Sequence, residues 1–356
     1  MFIYMTLLSY WAITAIAFNA SSRIKLRYNS KLYVLIAGIS LFFVMALRDV
    51  SVGTDILGYM NEYENGKYYL NNFIRDSELG YSYFNYALGQ LGLSFQAYLA
   101  IIAAIFVITI SLLYYLYSKN ILLSFYLHVT IGIFAMSMSG LRQTIAISLT
   151  ILAFIYLIKN KKMLFFIFVC VAYFFHNSAI VFLLVFFLRK IRINKKIGFI
   201  IYGISCLAFI GRGLFGSLVQ QLTPDKYIRY LDNTAYVNPL LIVVVMALPL
   251  ACLFFLPKSR NEHNEDYIRV LSISFVLSCI NFVVFFLAME IPLFERISLY
   301  FMIYNTLLIP NVIQRIKSKN IRVIAMMACI IFPLLQFIIS TPGGSMGIDN
   351  YKFFWE

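Results

Sequence analysis

The sequence predicts an all-α, polytopic integral membrane protein with about 12 transmembrane segments. Three observations carry that prediction. Of the 356 residues, 62% are hydrophobic and only 12% are charged. The mean hydropathy is +0.84. Long apolar runs also recur along the whole chain. A soluble domain carries about 25% charged residues and cannot shelter this much apolar surface. The chain is therefore read as a single integral membrane domain over residues 1–356. The formal charge of +14, from 29 Lys+Arg against 15 Asp+Glu, would point toward nucleic acid on a soluble chain. On a membrane chain it must first be divided between the two faces of the bilayer, and no nucleic-acid partner is expected.

A helix crosses the hydrocarbon core with about 20 apolar residues, and runs down to about 17 qualify. Such runs fall at residues 2–18, 32–47, 96–117, 121–138, 141–158, 163–188, 197–215, 239–256, 267–289, 297–313 and 323–340. The first ends in Ala15-Ile16-Ala17, which resembles a signal-peptide cleavage site, but no basic region precedes it. Its positive charge follows instead, at Arg23, Lys25, Arg27 and Lys31. That order reads as an uncleaved helix with its N-terminus outside and its basic flank in the cytoplasm.

Alternation then places cytoplasmic loops around Lys119 and at residues 159–162, 189–196, 258–269 and 315–322. The 26-residue run 163–188 has strongly basic clusters on both sides, and both belong inside. A single crossing would strand one of them outside. Two half-spans meeting at the polar break Phe175-His176-Asn177-Ser178 satisfy both, provided protein or a water-filled cavity shields the broken backbone. The hairpin is the reading taken, and it gives 12 crossings with both termini outside. Counted on this topology, the inner loops hold 20 basic and three acidic residues, a net of +17, and the outer segments nine basic and 12 acidic residues, a net of −3. Most of the basic excess is thus an orientation signal. The basic minority on the outer face needs another reason.

The longest outer segment, 48–95, is polar and rich in tyrosine, and its semi-apolar part at 81–93 reads as an interfacial or re-entrant helix. Its tyrosines fit either an aromatic belt at the headgroups or sugar-binding faces. Three arginines lie on this depleted side: Arg48 directly after a span, Arg142 at the outer end of run 141–158, and Arg296 at the start of run 297–313. Each could snorkel or pair with a neighbouring acid such as Glu290 or Glu295. Three together point to an anion site, because the arginine fork takes phosphate oxygens in bidentate fashion. His176, at the break of the hairpin, has an unperturbed range suited to proton abstraction near neutral pH. His128 reads as structural, and His263 lies among solvated charges. The five cysteines lie in apolar runs without paired spacing and read as packing residues. No phosphate-binding glycine loop and no internal repeat is present.

In order, Arg48, Val52-Gly53-Thr54-Asp55 with Tyr59, Glu78-x-Gly80, Leu141-Arg142-Gln143 with Ala146, Phe175-His176-x-Ser178-Ala179-Ile180 and Phe294-x-Arg296 with Tyr300 form a set. That set resembles the EpsG-like branch of the Wzy-type O-antigen, capsular and exopolysaccharide polymerases, along nearly the whole chain. Leu57-Gly58 before the tyrosine and the short C-terminal tail are minor departures. The resemblance implies a GT-C-like, metal-independent, inverting glycosyltransferase of the bacterial inner membrane with no cofactor. Such an enzyme works on the periplasmic face. It joins undecaprenyl-diphosphate-linked oligosaccharides by moving the growing chain onto the non-reducing end of the incoming unit. Expected partners besides membrane lipids are a flippase and a chain-length regulator (a polysaccharide copolymerase). On that reading Arg142 and Arg296 clamp a lipid diphosphate, and Arg48 contacts the second diphosphate or the outer loop. His176 or Asp55 is the base, with His176 ahead, and Tyr59, Glu78, Gln143 and Tyr300 bind substrate. A flippase-type transporter and an O-antigen ligase-type transferase are the alternatives. A transporter calls for internal repeats or paired broken helices, whereas a large one-sided polar segment favours a site fixed on one face.

Overall fold

The computed structural model describes residues 1–20, 26–66, 78–214, 217, 239–257, 265–291, 293–344 and 346–356. Arg23 and Lys25 of the first basic flank, Lys258, Glu262 and His263 of the loop at 258–269, and residues 67–77 of the outer segment lie outside the described residues. The protein is an all-helical, polytopic membrane protein. Among the described residues four helices are long and apolar enough to cross a membrane, and a bent helix pair makes a fifth candidate. Three further apolar helices are shorter: Phe2–Ile16, Lys31–Ala46 and Lys162–Phe175.

The chain divides into two compact units, one of Met1–Leu183 with Ala328–Glu356 and one of Leu184–Met327. The first opens with α1 (Phe2–Ala20) and α2 (Leu26–Ala46), followed in the outer segment by α3 (Ile56–Glu64) and α4 (Leu79–Gln90). Helix α5 (Phe95–Tyr117) starts where the Ser94 hydroxyl accepts a hydrogen bond from the Ala97 amide at 3.2 Å. That bond satisfies one of the orphan donors of the first turn. The run 121–138, expected as one span, is α6 (Ile121–Thr130) and α7 (Ile133–Ser139), bent by 60°. Gly132 sits at the bend with φ +98°, a conformation that only glycine adopts freely. Helix α8 (Leu141–Ile158) is the buried centre of the unit and packs against α5 and α9 (Lys162–Phe175).

The break proposed for run 163–188 is present. Helix α9 ends at Phe175, His176 is extended, and a 3-10 helix runs from Asn177 to Lys190. The two halves fold back on each other, since the rings of Phe165 and Phe182 come within 6.3 Å and both are fully buried. Seventeen residues of continuous α-helix would separate them by about 25 Å at 1.5 Å per residue, so the chain reverses at His176.

One end of this unit is tied together by hydrogen bonds to main-chain carbonyls. The Met1 ammonium donates to Asp349 O at 2.8 Å, and the Tyr4 hydroxyl donates to Ile348 O at 2.8 Å. The amides of Asp49, Gly53 and Thr54 donate to the carbonyls of Lys352, Gly347 and Met346, and Phe354 N donates to Leu47 O. The first residue, residues 49–54 and the C-terminal tail therefore share one end of the unit.

The second unit holds α10 (Lys195–Ile210), α11 (Pro239–Leu253), α12 (Glu265–Leu287), α13 (Leu293–Met302), α14 (Asn305–Ile313) and the start of α15 (Lys319–Ser340). Its core gathers Leu253, Leu256, Leu271, Phe275, Cys279 and Leu308. Cys252 and Cys279 are buried there as small packing residues. Run 297–313, expected as one span, is interrupted between α13 and α14, where Tyr304 and Asn305 are buried. The Thr306 hydroxyl donates to Ile303 O at 2.5 Å, a side-chain bond that competes with the helical ladder at the break.

Candidate functional site

The end of the first unit that carries residues 48–66 assembles a charged cluster on an aromatic floor. Helix α8 delivers Arg142 in its first turn, the positive end of the helix dipole, where a cation is disfavoured by about 0.3–1 kcal/mol. Two carboxylates offset this. Arg142 Nη2 lies 2.9 Å from Glu62 Oε1 on α3, and Nη1 lies 3.6 Å from Glu78 Oε2 at the start of α4. Below the guanidinium lie the rings of Tyr59 at 5.4 Å and Tyr81 at 5.1 Å. Pairs as exposed as Arg142 and Glu62, 30% and 27%, contribute only about 0–1 kcal/mol to folding. The arrangement therefore holds an arginine fork in place at the surface of the fold far more than it stabilises the fold.

Glu78 joins three elements. Its Oε1 lies 2.5 Å from His176 Nδ1 and accepts the Asn177 amide hydrogen bond at 2.9 Å, while Oε2 faces Arg142. Gly80 makes this possible, because a Cβ there would lie 2.9 Å from both Cβ and O of Phe174. Only glycine lets α4 approach the end of α9 closely enough to bring Glu78 onto His176. Burial raises the Glu78 carboxyl. The hydrogen bond and charge of His176, the Asn177 amide and Arg142 outweigh it, and the carboxyl lies below the usual range. Burial raises Glu62 against the pull of Arg142, with the Glu78 charge adding to the rise. Two carboxylates on one arginine are thus pushed apart, the pattern that separates proton donors from acceptors in active sites.

The floor is itself locked. The Tyr98 hydroxyl donates to Asn85 Oδ1 at 2.7 Å and lies 2.9 Å from the Tyr81 hydroxyl, with all three side chains buried. Tyr63 donates to Leu93 O at 2.8 Å. Ile56, Tyr59, Leu141 and Ile145 pack into the same core.

Of the residues the sequence singled out, Arg142, Glu78, His176 and Tyr59 are brought together. Asp55 is exposed and directly precedes α3. Its spacing to Tyr59 and Glu62 puts it on their helix face one turn earlier. Gln143 is buried in α8 beside Arg142. Arg296 and Tyr300 belong to the second unit, Arg296 exposed on α13 and Tyr300 buried one turn later. Glu290, weighed as a partner for Arg296, lies 3.5 Å from Arg212. For Arg48 two places are expected, a diphosphate or the outer loop; its contacts are with main chain. It is 1% exposed, and its guanidinium donates to the carbonyls of Met45 and, at 3.1 Å, of Met138. Burial pushes it down to about 10. It ties the C-terminal ends of α2 and α7 together and presents no open fork. His128 is fully buried with Nδ1 3.2 Å from the Tyr114 hydroxyl, the structural place its sequence context indicates. Among the described residues no three His, Cys, Asp or Glu side chains are placed to hold a metal ion.

The sequence reading passed over Glu62, Tyr81 and the Tyr98–Asn85 pair as site residues. The signal for Glu62 was available, three residues after Tyr59 on one helix face. The others depend on a contact between α4 and α5 that no local spacing encodes.

A model of the EpsG family matches residues 31–353. The chain belongs to the EpsG family. No curated protein and no solved structure matches it. Each motif carrying the EpsG resemblance has a physical place in the first unit, Arg296 and Tyr300 excepted. Gly53 has φ +110°, and a Cβ there would lie 2.6 Å from Met138 O. Thr54 bonds Ser139 Oγ at 2.7 Å. For this EpsG-family chain the outer-segment motifs therefore position the cluster, and Arg142, His176, Glu62 and Glu78 form it.

Proposed function

We propose that this chain is a polysaccharide polymerase of the bacterial inner membrane. It joins undecaprenyl-diphosphate-linked oligosaccharide repeat units on the periplasmic face and transfers the growing chain to the non-reducing end of the incoming unit. The observation that carries the reading is the Arg142 fork held on the Tyr59–Tyr81 floor beside His176. An arginine fork fixed before substrate arrives is what a diphosphate leaving group requires, because charge developing on it meets a preorganised cation.

In the proposed step the acceptor hydroxyl gives its proton to His176 while its oxygen attacks the anomeric carbon of the donor chain. The bond from that carbon to the diphosphate oxygen breaks, and the lipid diphosphate leaves with the electron pair, steadied by Arg142. Holding both lipid-linked substrates in register supplies much of the remaining acceleration as proximity. No metal takes part in the proposed chemistry, so chelator leaves turnover unchanged. The reading includes 12 crossings with both termini on the periplasmic face and a GT-C-like arrangement. The shared end of Met1, the outer segment and the C-terminal tail supports the even count. Membrane lipids, a flippase and a chain-length regulator are its proposed partners.

The test is the carrier-linked material in a deletion strain. Single lipid-linked repeat units without polymer are the expected outcome. Long lipid-linked polymer would identify a ligase instead, and repeat units held on the cytoplasmic face would identify a transporter.

A further inference from the structure

We infer that Glu78 is not a sugar contact but the positioning residue of a Glu78–His176 dyad, holding the proton on Nδ1 of His176 and leaving Nε2 to receive the acceptor proton. The inference rests on the reading of His176 as the base. It starts from an asymmetry between the two faces of the imidazole. Nδ1 lies 2.5 Å from Glu78 Oε1 in a half-buried setting, with the His176 side chain 15% and the Glu78 side chain 11% exposed. Nδ1 is the buried nitrogen of the ring, and the Glu78 carboxylate is the group that faces it.

A neutral imidazole carries one proton, and the nitrogen facing a carboxylate keeps it. The remaining nitrogen is then a bare lone pair with a fixed direction. The carboxylate is itself over-determined. The Asn177 amide holds Oε1 at 2.9 Å, Arg142 faces Oε2 at 3.6 Å, and the glycine contact at Gly80 sets the distance between α4 and α9. Burial raises the Glu78 carboxyl, but the hydrogen bond and charge of His176, the Asn177 amide and Arg142 together hold it below its usual range, which suits it as the acceptor for the Nδ1 proton.

The arrangement also explains why the break at residue 176 is useful. His176 is the residue that caps α9, in an extended conformation with φ −156° and ψ 116°. The His176 amide closes the last helical bond, to Ala172 O, and Glu78 meets the ring from a different element. In the transfer step the acceptor hydroxyl proton moves to Nε2 and Nδ1 keeps its own. The resulting imidazolium is stabilised by the facing carboxylate until Nε2 releases its proton to the departing diphosphate or to water. Glu78 itself neither gains nor loses a proton.

The experiment uses full-length protein in detergent, with a synthetic undecaprenyl-diphosphate-linked repeat unit as substrate. Three histidines are present in the chain, so nitrogen NMR of histidine-labelled protein resolves each ring, and His176→Gln assigns the signal. In the unmodified protein His176 shows a protonated Nδ1 and a bare Nε2. Glu78→Gln keeps the shape of the side chain and removes its charge. The expected result is a mixed tautomer signal, a kcat lower by roughly two orders of magnitude, and a KM changed by less than about twofold, since uniform binding is untouched. Glu78→Asp draws the charge back by one methylene and retains more turnover than Glu78→Gln. It carries the same readouts if the glutamine variant does not reach the membrane. A raised KM with unchanged kcat makes Glu78 a substrate contact and overturns the inference. Turnover lost in His176→Gln but kept in Glu78→Gln overturns it alone, whereas turnover kept in His176→Gln overturns the base reading and the dyad together.

Discussion

Substituting Gly80 with alanine tests how the cluster is built without touching any charged group. The added Cβ would lie 2.9 Å from both Cβ and O of Phe174 and 3.0 Å from its carbonyl carbon. Ordinary contacts between such atoms begin near 3.5 Å, so α4 and α9 must part by about half an ångström. Overpacking of this kind costs about 1–3 kcal/mol. In a unit of this size that lowers the melting temperature by roughly 2–4 °C per kcal/mol. The same displacement lengthens the Glu78–His176 contact from 2.5 Å, and misplacement by about 1 Å can cost 10²-fold in rate. The assays are thermal unfolding of the purified protein and polymer length after reaction with a lipid-linked repeat unit. Because the atoms met are the Cβ and main chain of Phe174, truncating that ring gives no relief. Gly80→Ala and the double variant with Phe174→Ala should be equally impaired. Wild-type turnover in Gly80→Ala, or rescue by Phe174→Ala, would refute the close-approach argument.

Four further outcomes are expected. Arg142→Lys keeps the charge but loses the fork, and the rate should fall about 10- to 100-fold, as the loss of one charge-assisted hydrogen bond of about 1.5–3 kcal/mol implies; insertion level, measured by quantitative blotting, stays unchanged. Arg48→Gln removes a buried donor to Met45 O and Met138 O; unfolding temperature falls, and residual turnover tracks the folded fraction with an unaltered KM. Glu78, lowered by its partners, stabilises the fold above the usual carboxylate range and loses that contribution as pH falls through its folded value. Glu62, raised by burial, contributes in the opposite sense, with stability present at low pH and lost as pH rises. Melting at neutral pH should therefore drop in Glu78→Gln and hold or rise in Glu62→Gln, and the contrast should vanish in acid. Deleting residues 346–356 removes the carbonyls that hold Asp49, Gly53 and Thr54; limited proteolysis should then cut the segment 48–66 faster, with loss of polymer.

Much of this organisation was legible in the chain because membrane folding leaves strong local marks. Apolar runs give the helices, and the misfit of Lys159–Lys162 and Arg189–Lys196 with a single crossing marks the break at residues 175–178. Arg142, Glu78, His176 and Tyr59 were recoverable as polar exceptions on the outer face. The bend at Gly132 and the break at Tyr304–Asn305 were not, since each lies inside an uninterrupted apolar run and arises from backbone conformation and buried polar packing. Arg48 shows the limit of counting charges. Its position after a span resembles that of Arg142, but its task depends on two carbonyls at helix ends, one of them 90 residues away. Local sequence cannot tell a fork that waits for phosphate from one already filled by main chain.

The most direct measurement is polymer formation by purified protein from a synthetic undecaprenyl-diphosphate-linked repeat unit, comparing the unmodified chain with Arg142→Ala. The account predicts a ladder of products from the first, insensitive to chelator, and unreacted single units from the second despite normal folding. A normal ladder from Arg142→Ala would contradict it.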